Sequence, residues 1–324
     1  MIVPVEERVA MVEQILTRHS RILVECAVAE PLRRMEGVEL HPDLFHTPLI
    51  YEHRERRRPM EAIYERYLEI AREAKLPLLL TAPTWRLDAR RVKQASVPES
   101  INADAVSFLV GLRDRWQKED GESPVMVGAL VGPKEDCYRP DLAPGPEAAI
   151  EFHKEQIAEL AGTEAELLVA QTIPAVSEAL GLARVLAETD RPYVISFCTG
   201  TDGRVLDGTP LPEAMQRIDE AGGLKRAPLG YFVNCTHPTF HLDAYDGGEL
   251  ERLIGIQANG SSKDVRALDA SSETVMDPVE DWVAGMMRFS EEFAVPMLGG
   301  CCGTTDSHLS GLALGRVDGV DGSG

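Results

Sequence analysis

Toward the C-terminal end of the sequence stands Gly299-Gly300-Cys301-Cys302-Gly303-Thr304-Thr305, two adjacent cysteines set among glycines. The apolar run Val295-Pro296-Met297-Leu298 leads into them, so the pair falls where a buried strand ends. Neighbouring side chains of an extended strand point to opposite faces. Both thiols can therefore address one point only if the backbone leaves extended geometry there, which glycine allows. Gly230-Tyr231-Phe232-Val233-Asn234-Cys235 is a second apolar run ending at a cysteine. Three thiols at strand ends suggest a soft-metal site, most simply zinc on Cys235, Cys301 and Cys302, with the fourth position open. Inert buried thiols are a rival reading that suits a lone cysteine better than a trio. A vicinal Cys301–Cys302 disulfide leaves Cys235 unexplained. A structural zinc site uses close-spaced pairs and four protein ligands, whereas Cys235 lies far upstream and no fourth ligand has a signature. Three thiolates on zinc make a poor Lewis acid but a good place to hold another thiol as thiolate. The chemistry implied is alkyl transfer to sulfur.

The elements that must position these groups are legible as short apolar runs: Ile22–Val24, Leu76–Leu80, Val125–Leu130, Leu167–Ala170, Tyr193–Phe197, Tyr231–Val233, Leu253–Ile256 and Pro296–Leu298. Such runs fit parallel strands buried on both faces. Helical spacing appears between them, over Ile101–Lys118, Ala148–Leu160, Ser177–Leu186 and Glu213–Ala221. This alternation predicts an α/β fold, a (β/α)8 TIM barrel in a single domain over residues 1–315, with a loose tail over 316–324. An open doubly wound sheet is the alternative, but the turn after the first run, Glu25-Cys26-Ala27-Val28-Ala29-Glu30, is no dinucleotide fingerprint. Barrel chemistry sits at the C-terminal ends of strands. Read there, the runs end in Glu25-Cys26, Thr81, Gly132-Pro133, Gln171-Thr172, Cys198-Thr199, Asn234-Cys235, Gln257 to Asn259 and Gly300-Cys301-Cys302. Polar and thiol groups collect at one rim.

The net charge of -20 over 324 residues argues against a nucleic-acid partner, which needs a basic footprint. Six cysteines in so long a chain do not read as a secreted disulfide framework. There is no basic-then-apolar leader and no run long enough to span a membrane. A soluble, cytoplasmic protein is expected.

Val233-Asn234-Cys235-Thr236 and Gly299-Gly300-Cys301-Cys302-Gly303 closely resemble the homocysteine S-methyltransferase family. The resemblance continues through Gly132-Pro133, Tyr138, Phe152 to Ile157, Gln171-Thr172-Ile173-Pro174 with Glu178, Ile195 to Phe197 and Asp207-Gly208, and so covers most of the chain. It implies a zinc-dependent barrel that methylates a thiol, homocysteine or a relative. Zinc would sit on Cys235, Cys301 and Cys302, with Asn234 and Glu25 in catalysis. Glu25, Cys26, Thr84, Trp85, Gln171 and Asn259 would surround the substrate. The sequence departs from the family at the first-strand turn, at Gln171 where a glutamate is usual, and at Thr81-Ala82-Pro83-Thr84-Trp85. Those acidic positions hold the amino-acid part of homocysteine in the family. Homocysteine is therefore expected to be a weak acceptor here, or to yield to a thiol with less positive charge near sulfur.

The remaining candidates have plainer readings. His153 reads as structural, while His237 and His241 are within reach of the rim. Cys26 and Cys198 read as packing residues and Cys137 as a loop residue. The chain has no room for folate- or cobalamin-binding modules, so the methyl donor is a small molecule or comes from a separate methyl-carrier protein. A sulfonium or quaternary ammonium donor would suit an acidic rim with Trp85 or Tyr231. A delivery subunit that works only with such a carrier, corrinoid or other, is the second reading.

Overall fold

In the computed structural model, which describes residues 5–120, 123–264 and 276–316, eight strands close into one parallel barrel in sequence order. The strands are β1 (Ile22–Val24), β2 (Leu78–Ala82), β3 (Val125–Val131), β4 (Leu167–Ile173), β5 (Tyr193–Cys198), β6 (Gly230–Thr236), β7 (Leu253–Ala258) and β8 (Met297–Gly300). β8 returns to β1 through Ile22↔Met297 and Leu23↔Leu298, which leaves no open edge. Helices alternate with the strands and pack outside them, among them Arg54–Ala74, Pro146–Ala161, Val176–Ala187 and Val279–Phe293. The single (β/α)8 domain expected from the alternation is the fold observed. Among the described residues no helix is long and apolar enough to cross a membrane. Most of the proposed tail, 317–324, lies outside the described residues.

Strand parity sorts the apolar runs into two layers. Ile22, Val24, Leu79, Met126, Val169, Val194, Phe232 and Met297 fill the barrel interior. Leu23, Leu78, Leu80, Val127, Leu168, Ile195 and Tyr231 face the helices instead. Val12 and Ile15 of the helix Val5–Arg18 join the interior cluster.

The strands differ from the expected runs mainly at their C-terminal ends. β4 runs on to Ile173, β6 to Thr236 and β7 to Ala258. Most of those extra residues are polar or small yet buried, because the ladder hydrogen bonds continue where the apolar pattern stops. The pairing slips between Ala170 and Ile173 in β4 and between Asn234 and Thr236 in β6. In each slip one residue that is not glycine takes a left-handed backbone, Thr172 at φ 62° and Cys235 at φ 50°. Such bulges re-aim side chains at barrel rims.

Candidate functional site

A cavity of about 610 Å³ opens at the C-terminal ends of the strands. Glu25, Cys26, Trp85, Gln171, Asn259, Cys235, Cys301 and Cys302 all line it, so the structure brings together eight of the residues the sequence singled out.

The thiols lie on one side. Cys235 is brought to the cavity by the β6 bulge, and its sulfur is 3.2 Å from that of Cys301. Cys302 is exposed and lines the cavity beside them. The turn that carries the pair is tied down on both flanks. Cys301 N–H donates to the Ala258 carbonyl at 2.7 Å and Gly260 N–H to the Cys302 carbonyl at 2.8 Å. Thr304 Oγ1 donates to the Cys301 carbonyl at 2.6 Å, and Gly303 N–H donates to Glu30. The glycines before the pair do not supply the expected break in the backbone. Gly299 and Gly300 lie within β8, where a Cβ would come 2.5 Å from the Val24 carbonyl and 2.8 Å from Cys26 Sγ respectively. They are there for close packing; the left-handed residue is Gly303, at φ 77°. As thiols Cys235 and Cys301 touch through their sulfurs, and among the described residues no three Cys, His, Asp or Glu side chains stand arranged to hold a metal ion.

Asn234 is fully buried and does not line the cavity. Its Oδ1 accepts from Thr172 N–H at 3.1 Å and from Ser196 Oγ at 2.5 Å, and its Nδ2 lies 3.4 Å from Cys235 Sγ. It braces the bulges rather than facing a substrate. Thr84 is likewise behind the wall: its hydroxyl donates to the Leu130 carbonyl at 2.7 Å and accepts from Leu130 N–H at 2.8 Å. Pro83 and Trp85 are what that turn presents to the cavity. The Trp85 indole N–H donates to Thr172 Oγ1 at 2.6 Å. A Cβ on Gly132 would come 2.7 Å from that indole nitrogen, so the ring's place depends on the glycine.

At the end of β1, next to the strand that carries the cysteine pair, Glu25 accepts from both the amide and the hydroxyl of Thr81. Burial outweighs these bonds and pushes its carboxyl up to about 8, so it is largely protonated at neutral pH. Gln171 Nε2 donates to Gln257 Oε1 at 2.6 Å, and Gln257 Nε2 to the Glu25 carbonyl at 3.3 Å. Asn259 is held by its main chain, which donates to Thr236 and accepts from Trp282 Nε1. Its buried Oδ1 has no partner in the protein. An orphaned acceptor in a cavity wall fits a ligand that donates there.

Phe45, His46 and Arg86 were not singled out from the sequence, and Gln257 was named only as the end of its run. Phe45 stacks on Trp85 with centroids 5.7 Å apart. Arg86 lies over both rings, at 5.2 and 5.5 Å, and Arg33 over Phe45 at 5.6 Å. His46 lines the cavity, and burial pushes it down to about 4. Tyr231 is not at the rim: it is buried and bonds to Asp219 and the Met215 carbonyl. His241 is buried between the hydroxyls of Thr199 and Thr236, each 3.2 Å away, and neither it nor His237 lines the cavity. His153 bonds the buried Glu178 at 2.9 Å, a structural pair.

A closed parallel barrel with thiols and amides at its C-terminal mouth is an enzyme architecture, and comparison with known proteins says of which kind. The family model described as homocysteine S-methyltransferase matches residues 10–314, and the chain belongs to that family. It is, with its family, a thiol S-methyltransferase. The homocysteine S-methyltransferase YbgG of Bacillus subtilis (strain 168) is 24% identical over 322 residues, which span 93% of this chain and 96% of that one. The homocysteine methyltransferase MmuM of Escherichia coli, in its metallated form, superposes with a TM-score of 0.72 at 19% identity, over 94% of this chain and 99% of that chain. Its oxidized form gives the same TM-score at 20% identity, covering 94% and 98%.

Proposed function

We propose that this chain methylates the thiol of a homocysteine-like acceptor, with Cys235, Cys301 and Cys302 as ligands of a zinc ion. The observation that carries the reading is the gathering of three free thiols from β6 and the β8 turn on one wall of the cavity. Their chemistry fits a soft divalent ion with one position left for substrate. Uptake has to part the Cys235 and Cys301 sulfurs, which now touch. A zinc ion bound there supplies the positive charge that keeps an incoming thiol deprotonated.

The rest of the wall orients the acceptor. Its ammonium would find the Asn259 Oδ1 and the Glu25 carboxyl, with Gln171 a neutral third group. Asn234 acts at one remove, by holding Thr172 and Cys235 in their left-handed conformations. At the mouth, the faces of Phe45 and Trp85 already carry the Arg86 guanidinium. A donor that brings a carboxylate therefore suits this rim better than an open aromatic cage for a bare cation would.

The test is elemental analysis of protein purified without added metal, which should find about one zinc per chain. Cys301→Ala should lose both metal and turnover. Persistent absence of zinc under reducing conditions, with no uptake on reconstitution, would remove the mechanism. Turnover with free sulfonium, betaine or methylfolate donors would show that no carrier protein is needed.

A further inference from the structure

All six cysteines are free, and the reading above employs three of them. Two others stand beside that trio. Cys198 ends β5, in register with Asn234, the residue before Cys235. Cys198 is fully buried. Cys137 comes from the loop after β3, is half-buried and lines the cavity. Cys198, Cys235 and Leu206 form one buried cluster, with Cys137, Tyr138 and Cys301 packed around it. Since the Cys235 sulfur also touches that of Cys301, these cysteines form one packed file. It runs from the trio through the fully buried Cys198 to Cys137 at the edge of the cavity.

We propose that Cys137 and Cys198 are a disulfide-forming pair that takes oxidation off the trio. A hydroperoxide first converts one trio thiol to a sulfenic acid and is itself reduced to an alcohol, or to water in the case of hydrogen peroxide. The neighbouring thiol condenses with the sulfenic acid, releasing water and leaving a Cys235–Cys301 disulfide. The Cys198 sulfur then gives up its proton and attacks the Cys235 sulfur. The bond to Cys301 breaks, and Cys301 leaves, taking up a proton to become a thiol again. Cys137 attacks Cys198 in the same way and returns Cys235 to the thiol. The two electrons are finally lost by Cys137 and Cys198, with the hydroperoxide as sole oxidant. The trio is left reduced, and the new disulfide has one sulfur within reach of a soluble dithiol. The trio's role as metal site is taken from the reading above; the exchange itself depends only on the packing of these cysteines in one cluster.

The full-length protein, stripped of metal by a chelator under reducing conditions, is exposed to a small excess of hydrogen peroxide and alkylated. Non-reducing peptide mapping should find Cys137 linked to Cys198 in most chains, with Cys235, Cys301 and Cys302 alkylated. Zinc uptake afterwards should match that of the reduced protein. In Cys137→Ser the linkage should remain on Cys235, and zinc uptake after peroxide should fall severalfold. In Cys235→Ala, which cuts the file, the Cys137–Cys198 linkage should form severalfold more slowly. Wild-type linkages confined to Cys235, Cys301 and Cys302 overturn the proposal, as does full zinc uptake by oxidised Cys137→Ser or an unchanged rate in Cys235→Ala. Failure of the reduced wild type to take up zinc would strike the metal reading alone, and the peptide map would still decide the exchange.

Discussion

The amide N–H of Thr172 donates to Asn234 Oδ1 across 3.1 Å, joining β4 and β6 at the two points where their ladders slip. Left-handed residues that are not glycine are strained and persist only where their surroundings over-determine them. Asn234 is that surrounding for both, since its other end reaches Cys235.

Asn234→Ala should therefore lower both stability and turnover. It leaves the buried Thr172 amide without its acceptor, which costs about 1–3 kcal/mol. Urea unfolding measures the first loss and steady-state kinetics the second. Lost turnover with unchanged stability would place Asn234 against the substrate instead.

Gln171→Glu tests the acceptor. A charge-assisted bond to an ammonium is worth about 1.5–3 kcal/mol, roughly tenfold or more in affinity. The new carboxylate would, however, face Gln257 Oε1, which now accepts from Gln171. Homocysteine affinity should rise, and rise further with Gln257→Ala beside it, while zinc content stays constant. A wild-type preference for homocysteine over uncharged thiols, unmoved by the substitution, would show that Glu25 or Asn259 already serves the ammonium.

Glu25 gives a pH signature. Its folded carboxyl sits near 8, against an ordinary value of 4.5, so the folded state holds a proton that the unfolded chain releases between those values. The group's contribution to stability is full below about 4.5 and declines as pH rises to about 8. Glu25→Gln should flatten that part of the stability profile. Binding an ammonium favours the ionised carboxyl, so homocysteine should bind better as pH rises through about 8. The comparison is with 4-mercaptobutanoate, which lacks the ammonium but shares the thiol titration. A constant KM ratio between the two would count against contact with Glu25.

Arg86→Gln should raise the KM of a carboxylate-bearing donor by roughly tenfold, from about 1.5–3 kcal/mol for a lost charged bond. The acceptor KM should be unaffected. Equal changes in both would mean that Arg86 merely props the Phe45–Trp85 stack.

The apolar runs located every strand because burial on both faces leaves a continuous signal, and the polar residue after each run marked the rim. The ends of the strands were hidden for the same reason: Asn234, Cys235 and Gln257 stay in the ladder with nothing apolar to announce it. Residue type at a turn does not give direction, so Thr84 looked like a ligand although its hydroxyl faces Leu130. Nor does spacing reveal that Cys137 packs against the cluster holding Cys198, because only the fold brings those segments together.

The seam between β8 and β1 has a consequence for how the chain is made. Until residues 297–300 emerge from the ribosome, the β1 backbone has β2 on one side and no neighbour on the other. An unpaired apolar strand edge is a template for pairing with another chain. Ile22–Val24 is only three residues long, which keeps that nascent edge short while more than two hundred residues of the barrel are synthesised.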